Sequence, residues 1–291
     1  MSWQTVNVDC FKIERMNADV AQLLESVYRM PVERRNVEID SYPLRIENMA
    51  KFSDNGKTLY EGDFIKVRMD NLPVIASKQS GVEDIGLTEN QGIGEETAFL
   101  CSPADGLLLL QRNRHGASYA RVMRYLNAMS DESHSVILSI MLKGTALERL
   151  ERASELHSVE VSLAPLVSRR DVSYGDSVNR VLETMNDLRG RRAAFKISIG
   201  RQRSASLLKT KVKGMVNKLL RVRSDCESCV KAVKLSGRDE DGAMMIDFIK
   251  DRMRFSDKLN SGTERHLSYE LRKEFLRAVW SRTDLQNALM I

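Results

Sequence analysis

Cysteine is scarce in this chain. Cys10, Cys101, Cys226 and Cys229 are the four among 291 residues, too few and too scattered to staple a fold through disulfides. Five prolines and no Gly/Ser-rich tract leave no flexible linker, so two domains would meet through a short connection. Aromatic residues make up only 6%, which leaves little to stack against single-stranded bases. No apolar run approaches the roughly 18 residues that a membrane helix needs. The opening Met-Ser-Trp-Gln-Thr lacks the basic and apolar regions of a signal peptide, and a cytoplasmic protein is expected.

Nucleotide and hydrolase signatures are missing too. Gly92-Ile93-Gly94 precedes a strand pattern instead of following one, and no Gly-rich loop leads into Lys-Ser or Lys-Thr, so phosphate cradling by such a loop has no motif. His115, His134, His157 and His266 show neither HxH nor HExxH spacing. Among them His115, in Asn113-Arg114-His115-Gly116, draws notice because arginines surround it; turn structure is its ordinary explanation. Cys226-Glu227-Ser228-Cys229 has the spacing of half a zinc site, but no second Cys/His pair completes it, and two ordinary thiols are the simpler reading. No cofactor is expected.

Acid is absent where base is concentrated. From Leu188 to Ser224 there are twelve Lys or Arg residues and no Asp or Glu, while the whole chain is +5, so the remainder sums to about −7. A solvating face normally mixes signs; a run of one sign points to a polyanion. Ala193 to Gly200 alternates, with Phe195, Ile197 and Ile199 on one face and Lys196 and Ser198 on the other, which predicts a half-buried strand. Ser204 is the expected N-cap of a helix running to about Arg223. Its buried stripe is Leu208, Val212, Met215, Leu219 and Val222, with Thr210, Gly214 and Asn217 along the opposite face and lysines at the margins. A helix with small residues between flanking cations can lie against a phosphate backbone.

Elsewhere strands and helices mix. Asp19 caps a helix that Pro31 ends; Arg45 to Phe52 and Thr58 to Met69 read as strands joined at Asn55-Gly56, a strong hairpin signal. Residues 70–90 read as a surface loop. Gly94 to Gly116 reads as two strands about Asp105-Gly106, and the apolar run Leu107 to Leu110 belongs in the middle of a sheet. Helices are expected over 118–129, 146–156 and 176–188, strands over 135–142 and 159–166, and a hairpin about Asp239 to Gly242. A long helix from Ser268 to about Ala288 carries Leu271, Phe275, Leu276, Val279 and Trp280 over a wide arc, which suits a domain or dimer interface. The fold class is α+β, with mixed, largely antiparallel sheets and flanking helices. The expected domains are 1–157, an N-terminal α+β domain, and 158–291, a basic α+β domain ending in that helix.

The segment GIGEETAFLCSPADGLLLLQRNRHGAS, Gly92 to Ser118, looks like that of an uncharacterised family carried by prophages. The block from Ala193 through Lys250, with the helix after it, resembles in order and character the RexA-like exclusion proteins of phage lambda, and more remotely the DNA-associated component of the Kiwa defence system. The resemblance implies a dimeric, sequence-tolerant duplex-DNA binder in phage exclusion or anti-phage defence, with a membrane or effector protein encoded alongside as a further partner.

The expected reading is therefore a cytoplasmic, non-enzymatic protein that contacts double-stranded DNA through Arg191, Arg192, Lys196, Arg201, Arg203, Lys209, Lys211, Lys213, Lys218 and Arg221. The helix lacks the Asn, Gln and Arg cluster that reads base edges. One alternative is a metal-dependent nuclease using Glu95, Glu96, Asp63 or Asp105. Another is a scaffold whose basic face docks an acidic protein.

Overall fold

The structure is a computed structural model and describes residues 3–16, 19–79, 81–130, 135–164, 176–200, 205–225, 230–264 and 266–289. In chain order the elements are β1 (Trp3–Met16), α1 (Val20–Arg29), β2 (Val37–Ile39), β3 (Tyr42–Asp54), β4 (Lys57–Arg68), β5 (Ile75–Ala76), β6 (Val82–Glu83), β7 (Ile93–Ser102), β8 (Leu107–Gln111), α2 (Tyr119–Met129) and β9 (Ser135–Ile140). They continue with α3 (Gly144–Arg152), β10 (Glu155–Leu163), α4 (Asp176–Asp187), β11 (Ala193–Ser198), α5 (Lys209–Asp225), β12 (Val230–Asp239), β13 (Gly242–Asp247), β14 (Arg254–Asn260), α6 (Tyr269–Trp280) and α7 (Thr283–Leu289). This is the α+β class, with antiparallel sheets.

The chain divides into two compact units, one made of Met1–Ser139 with Arg254–Ile291 and the other of Ile140–Met253. The division expected at 157/158 is thus replaced by an insertion, because the last segment returns to the first unit. The cause is long-range pairing: Trp3 to Asp9 of β1 faces Asn260 to Arg254 of β14. An edge strand of low alternation such as β14, half of it exposed, carries no local period that reveals its partner.

In the first unit the large sheet runs β14-β1-β8-β7-β4-β3-β2, with β9 also on β1. Asn55 and Gly56 both take positive φ, 49° and 74°, the conformation of a type I′ hairpin, and they join β3 to β4 as expected. Leu107 to Leu110 lie between β1 and β7 and are buried on both faces. Asp19 Oδ1 accepts the N–H groups of Ala21 and Gln22 at the start of α1, and Ser118 and Ser268 cap α2 and α6. Period-two geometry then sends alternate side chains of β4 to opposite faces. Phe64 meets Tyr125 of α2 edge-on, with ring centroids 5.6 Å apart. Asp63 and Glu61 turn to the other face, where Arg272 and Arg277 of α6 bind them. The expected long C-terminal helix breaks at Ser281 into α6 and α7; Leu276, Val279, Trp280 and Leu285 are buried, against the sheet of their own unit.

The second unit has a four-stranded sheet, β11-β10-β12-β13. One core joins Leu150 of α3, Met185 of α4 and Val212, Val216 and Leu219 of α5 to Val159 and Val161 of β10, Val233 and Leu235 of β12, and Ile246 of β13. No helix among the described residues is long and apolar enough to cross a membrane.

Candidate nucleic-acid interface

The acid-free run supplies β11 and α5, and both depart from expectation at their ends. Ile197 was expected to be buried but is 46% exposed: β11 is an edge strand, and only its first residues, Ala193 and Phe195, pack on the core. The helix begins at Lys209, not after Ser204, and Leu208 is exposed. The preceding segment is held out straight, since Leu207 N–H donates to the Leu156 carbonyl and Ser206 Oγ accepts from Leu156 N–H. A cap at Ser204 would need the N–H of Ser206 or Leu207, so the bond of Leu207 to β10 takes one of the donors that the expected helix start requires. Ser204, Arg201 and Arg203 lie outside the described residues, as do Cys226, Cys229 and His134.

Of the rest of the expected stripe, Val212 and Leu219 are buried and Met215 packs beside them; Val216, which was not part of that stripe, is buried as well, and the Val222 side chain lies outside those described. The lysines divide into two sets. Lys209 Nζ donates to the carbonyl of Glu151 at 2.6 Å, at the end of α3, and Lys213 pairs with the Glu151 carboxylate. That bond holds the Glu151 carboxyl below its ordinary range. Cations at a helix C-terminus also meet the negative end of its dipole, so these two lysines fasten α3 to α5. Lys211 and Lys218, seven residues apart, share the exposed face with Thr210, Gly214 and Asn217. Among the described residues they form no ion pair. Arg221 lies one turn beyond Asn217 on the same helix.

The strand cations project elsewhere. Sheet register sets Lys196, Glu160, Lys234 and Asp247 in one row across the four strands, so signs alternate around Lys196. Arg192 Nε donates to Ser162 Oγ on that same face. Because Val159 and Val161 face the helices, alternation puts Lys196 and Arg192 on the opposite side of the sheet from α5. Those of the ten whose side chains are described therefore do not make one surface. The α5 face retains Lys211 and Lys218, and Arg191 is exposed before β11.

The four carboxylates of the nuclease alternative do not all meet. Glu95 pairs across β7 and β4 with Lys66, and Glu96 with Ile65, so the two glutamates point to opposite faces. Glu95 lies 3.6 Å from Arg68. Asp105 is held by Lys57 and Ser102 at the β7–β8 turn. Asp63 and Glu96 converge on Arg272, which donates to Asp63 at 2.9 and 3.3 Å and to Glu96 at 2.7 Å. Burial pushes the Asp63 carboxyl up to about 6, against the pull of Arg272. Among the described residues no three His, Cys, Asp or Glu side chains stand together as metal ligands.

Sequence reasoning missed the Arg272 cluster. Asn48 donates to Asp63 at 3.3 Å, Arg277 clamps Glu61 at 2.6 and 2.8 Å, and the Tyr269 hydroxyl is buried without a hydrogen-bond partner. The available signal was charge at the inward positions of both elements: Glu61 and Asp63 share one face of β4, and Arg272 falls on the apolar side of α6. Buried charges at such positions call for opposite partners.

The chain belongs to a family of unknown function (DUF6731), whose profile matches residues 3–284 and so spans both units. No curated protein matches it.

Proposed function

We propose that this protein binds the backbone of double-stranded DNA without reading sequence, and that it serves phage exclusion or anti-phage defence. The observation that carries the DNA reading is the exposed face of α5: Lys211 and Lys218 stand on it free of acid, with Gly214 open between them. Seven residues of helix advance about 10 Å, close to three base-pair steps of about 3.4 Å. Lys209 and Lys213 are engaged by Glu151 at the end of α3, which reduces the expected contacts from this helix. The defence role rests on the resemblance of the Ala193 to Lys250 block alone. A homodimer is part of the proposal, because Leu271 and Phe275 of α6 keep part of their surface exposed, and light scattering should then give about twice 33.1 kDa.

Titration of labelled duplexes of unrelated sequence at several salt concentrations tests the DNA reading. Each phosphate contact steepens the fall of log K with log[salt] by about 0.9. Replacing both Lys211 and Lys218 by Ala should flatten the slope by about two units and weaken all duplexes alike. A folded double variant with unchanged affinity and slope would sink the proposal.

A further inference from the structure

On the face of the large sheet that meets α2, a second group of cations gathers, remote in sequence from the acid-free run. Register places Leu44, Lys66 and Glu95 in one row across β3, β4 and β7; Arg68 follows Lys66 on the same face two residues on, and Arg121 reaches in from α2. Lys66 is 9% exposed. Its ammonium donates to the His115 carbonyl and sits 5.2 Å from the centre of the Tyr42 ring, and the Arg121 guanidinium lies 5.7 Å from that ring. No carboxylate among the described residues forms an ion pair with Lys66.

The acids nearby are already committed. Arg124 grips Asp40 with two bonds of 2.5 and 2.7 Å, leaving Arg121 a longer one of 3.3 Å. Glu95 is 3.6 Å from Arg68, whose Nε is buried with no hydrogen-bond partner. Four cations, Lys66, Arg68, Arg121 and Arg124, thus surround two carboxylates, an excess of two positive charges. Burial, then the charge of Arg121, holds Lys66 below the ordinary lysine range, with Glu95 opposing. An unpaired cation in such a place is costly to the fold.

The loop beside these cations is fixed on the sheet. Asn113 Nδ2 donates to the Glu96 carbonyl at 2.7 Å and Ala117 N–H to Thr97 Oγ1 at 2.9 Å. A Cβ at Gly116 would lie 2.2 Å from Thr97 Oγ1, so only glycine lets the loop approach this closely. The loop therefore fixes the His115 carbonyl, and Lys66 with it. Arg68 and Arg121 keep 26% and 25% of their side chains exposed, giving access from solvent.

The geometry points to a binding site for a small phosphate-type dianion, free phosphate or a phosphomonoester, held by Lys66, Arg68 and Arg121. Such a group carries about −1.5 to −2 charge at neutral pH, matching the excess, and its oxygens accept from planar guanidinium and ammonium donors together. The site belongs to the first unit and does not depend on the DNA reading.

The test uses the full-length protein, inorganic phosphate as the probe, and sodium chloride at matched ionic strength as the control. Thermal unfolding should shift upward with phosphate beyond the chloride control, and calorimetric titration should show one site per chain. Arg68→Gln, on a partly exposed side chain, should fold normally and weaken phosphate about tenfold. Lys66→Met should abolish the phosphate response while the unliganded protein melts no lower than wild type. Equal shifts with phosphate and chloride would overturn the site. So would a Lys66→Met protein that melts lower and keeps its phosphate response, because Lys66 would then serve only to anchor the loop. Displacement of phosphate by duplex DNA in the Lys211→Ala/Lys218→Ala background would reassign these cations to the nucleic acid and overturn the small-anion proposal.

Discussion

Arg272 of α6 and Lys211 of α5 are both cations on amphipathic helices, yet their circumstances are opposite. Arg272 keeps 3% of its side chain exposed and holds Asp63 and Glu96, while Lys211 is exposed and forms no ion pair among the described residues. The contrast extends to their units. Arg277 and Arg254 likewise hold carboxylates of the large sheet, Glu61 and Asp9, whereas the exposed face of α5 keeps its charge toward solvent. Charge on a helix is structural where its partner strand supplies buried acid, and available for binding where it does not.

The largest effect that can break this comparison is at Arg272. Arg272→Met strands the Asp63 carboxylate, which has no exposed surface, and should cost about 3–5 kcal/mol in urea unfolding. A loss below about 1 kcal/mol would mean that the buried pairing contributes little.

The pH dependence of Asp63 sharpens the same point. Its carboxyl is raised to about 6 from 3.8, so the folded state binds the extra proton between those values. Its contribution to stability is therefore greatest below about pH 4 and declines as pH rises through 6, by about 3 kcal/mol in all. Stability measured from pH 4 to 7 should fall for wild type relative to Asp63→Asn, then run parallel above pH 7. Parallel curves throughout would show that Asp63 does not titrate there.

Lys213→Ala breaks an exposed pair, with 33% of Lys213 and 57% of Glu151 side chains accessible. It should cost no more than about 1 kcal/mol and leave the DNA salt slope unchanged. Smallest of all on stability is the Lys211→Ala/Lys218→Ala variant, expected within about 0.5 kcal/mol of wild type, though it carries the change in salt slope. A large loss of stability there would place these lysines with Arg272 as structural cations.

Much of the fold was legible because its signals are local. Asp19 and Ser268 cap helices where expected, α2 begins beside Ser118, Asn55-Gly56 makes the hairpin, and the apolar run Leu107 to Leu110 sits inside the sheet. Errors arose where a distant segment intervenes. Ser206 and Leu207 bond to Leu156 and delay α5; β14 pairs with β1 across most of the chain and moves the domain boundary. Of the site, the exposure of Lys211 and Lys218 followed from helical period alone. The engagement of Lys209 and Lys213 did not, because the end of α3 is nowhere near them in sequence.

Composition and period by themselves determined the α+β class, the caps at Asp19 and Ser268, the turn residues and the acid-free run, since each depends on neighbours within a few positions. Only the tertiary structure decided which cations remain available. The same charge is stabilised beside a buried carboxylate, held against a helix end or left in water according to what other elements bring to it. That choice sets Arg272 inside the first unit, fastens Lys213 to Glu151, leaves Lys211 and Lys218 facing solvent, and gathers Lys66, Arg68 and Arg121 where acid is too scarce to balance them.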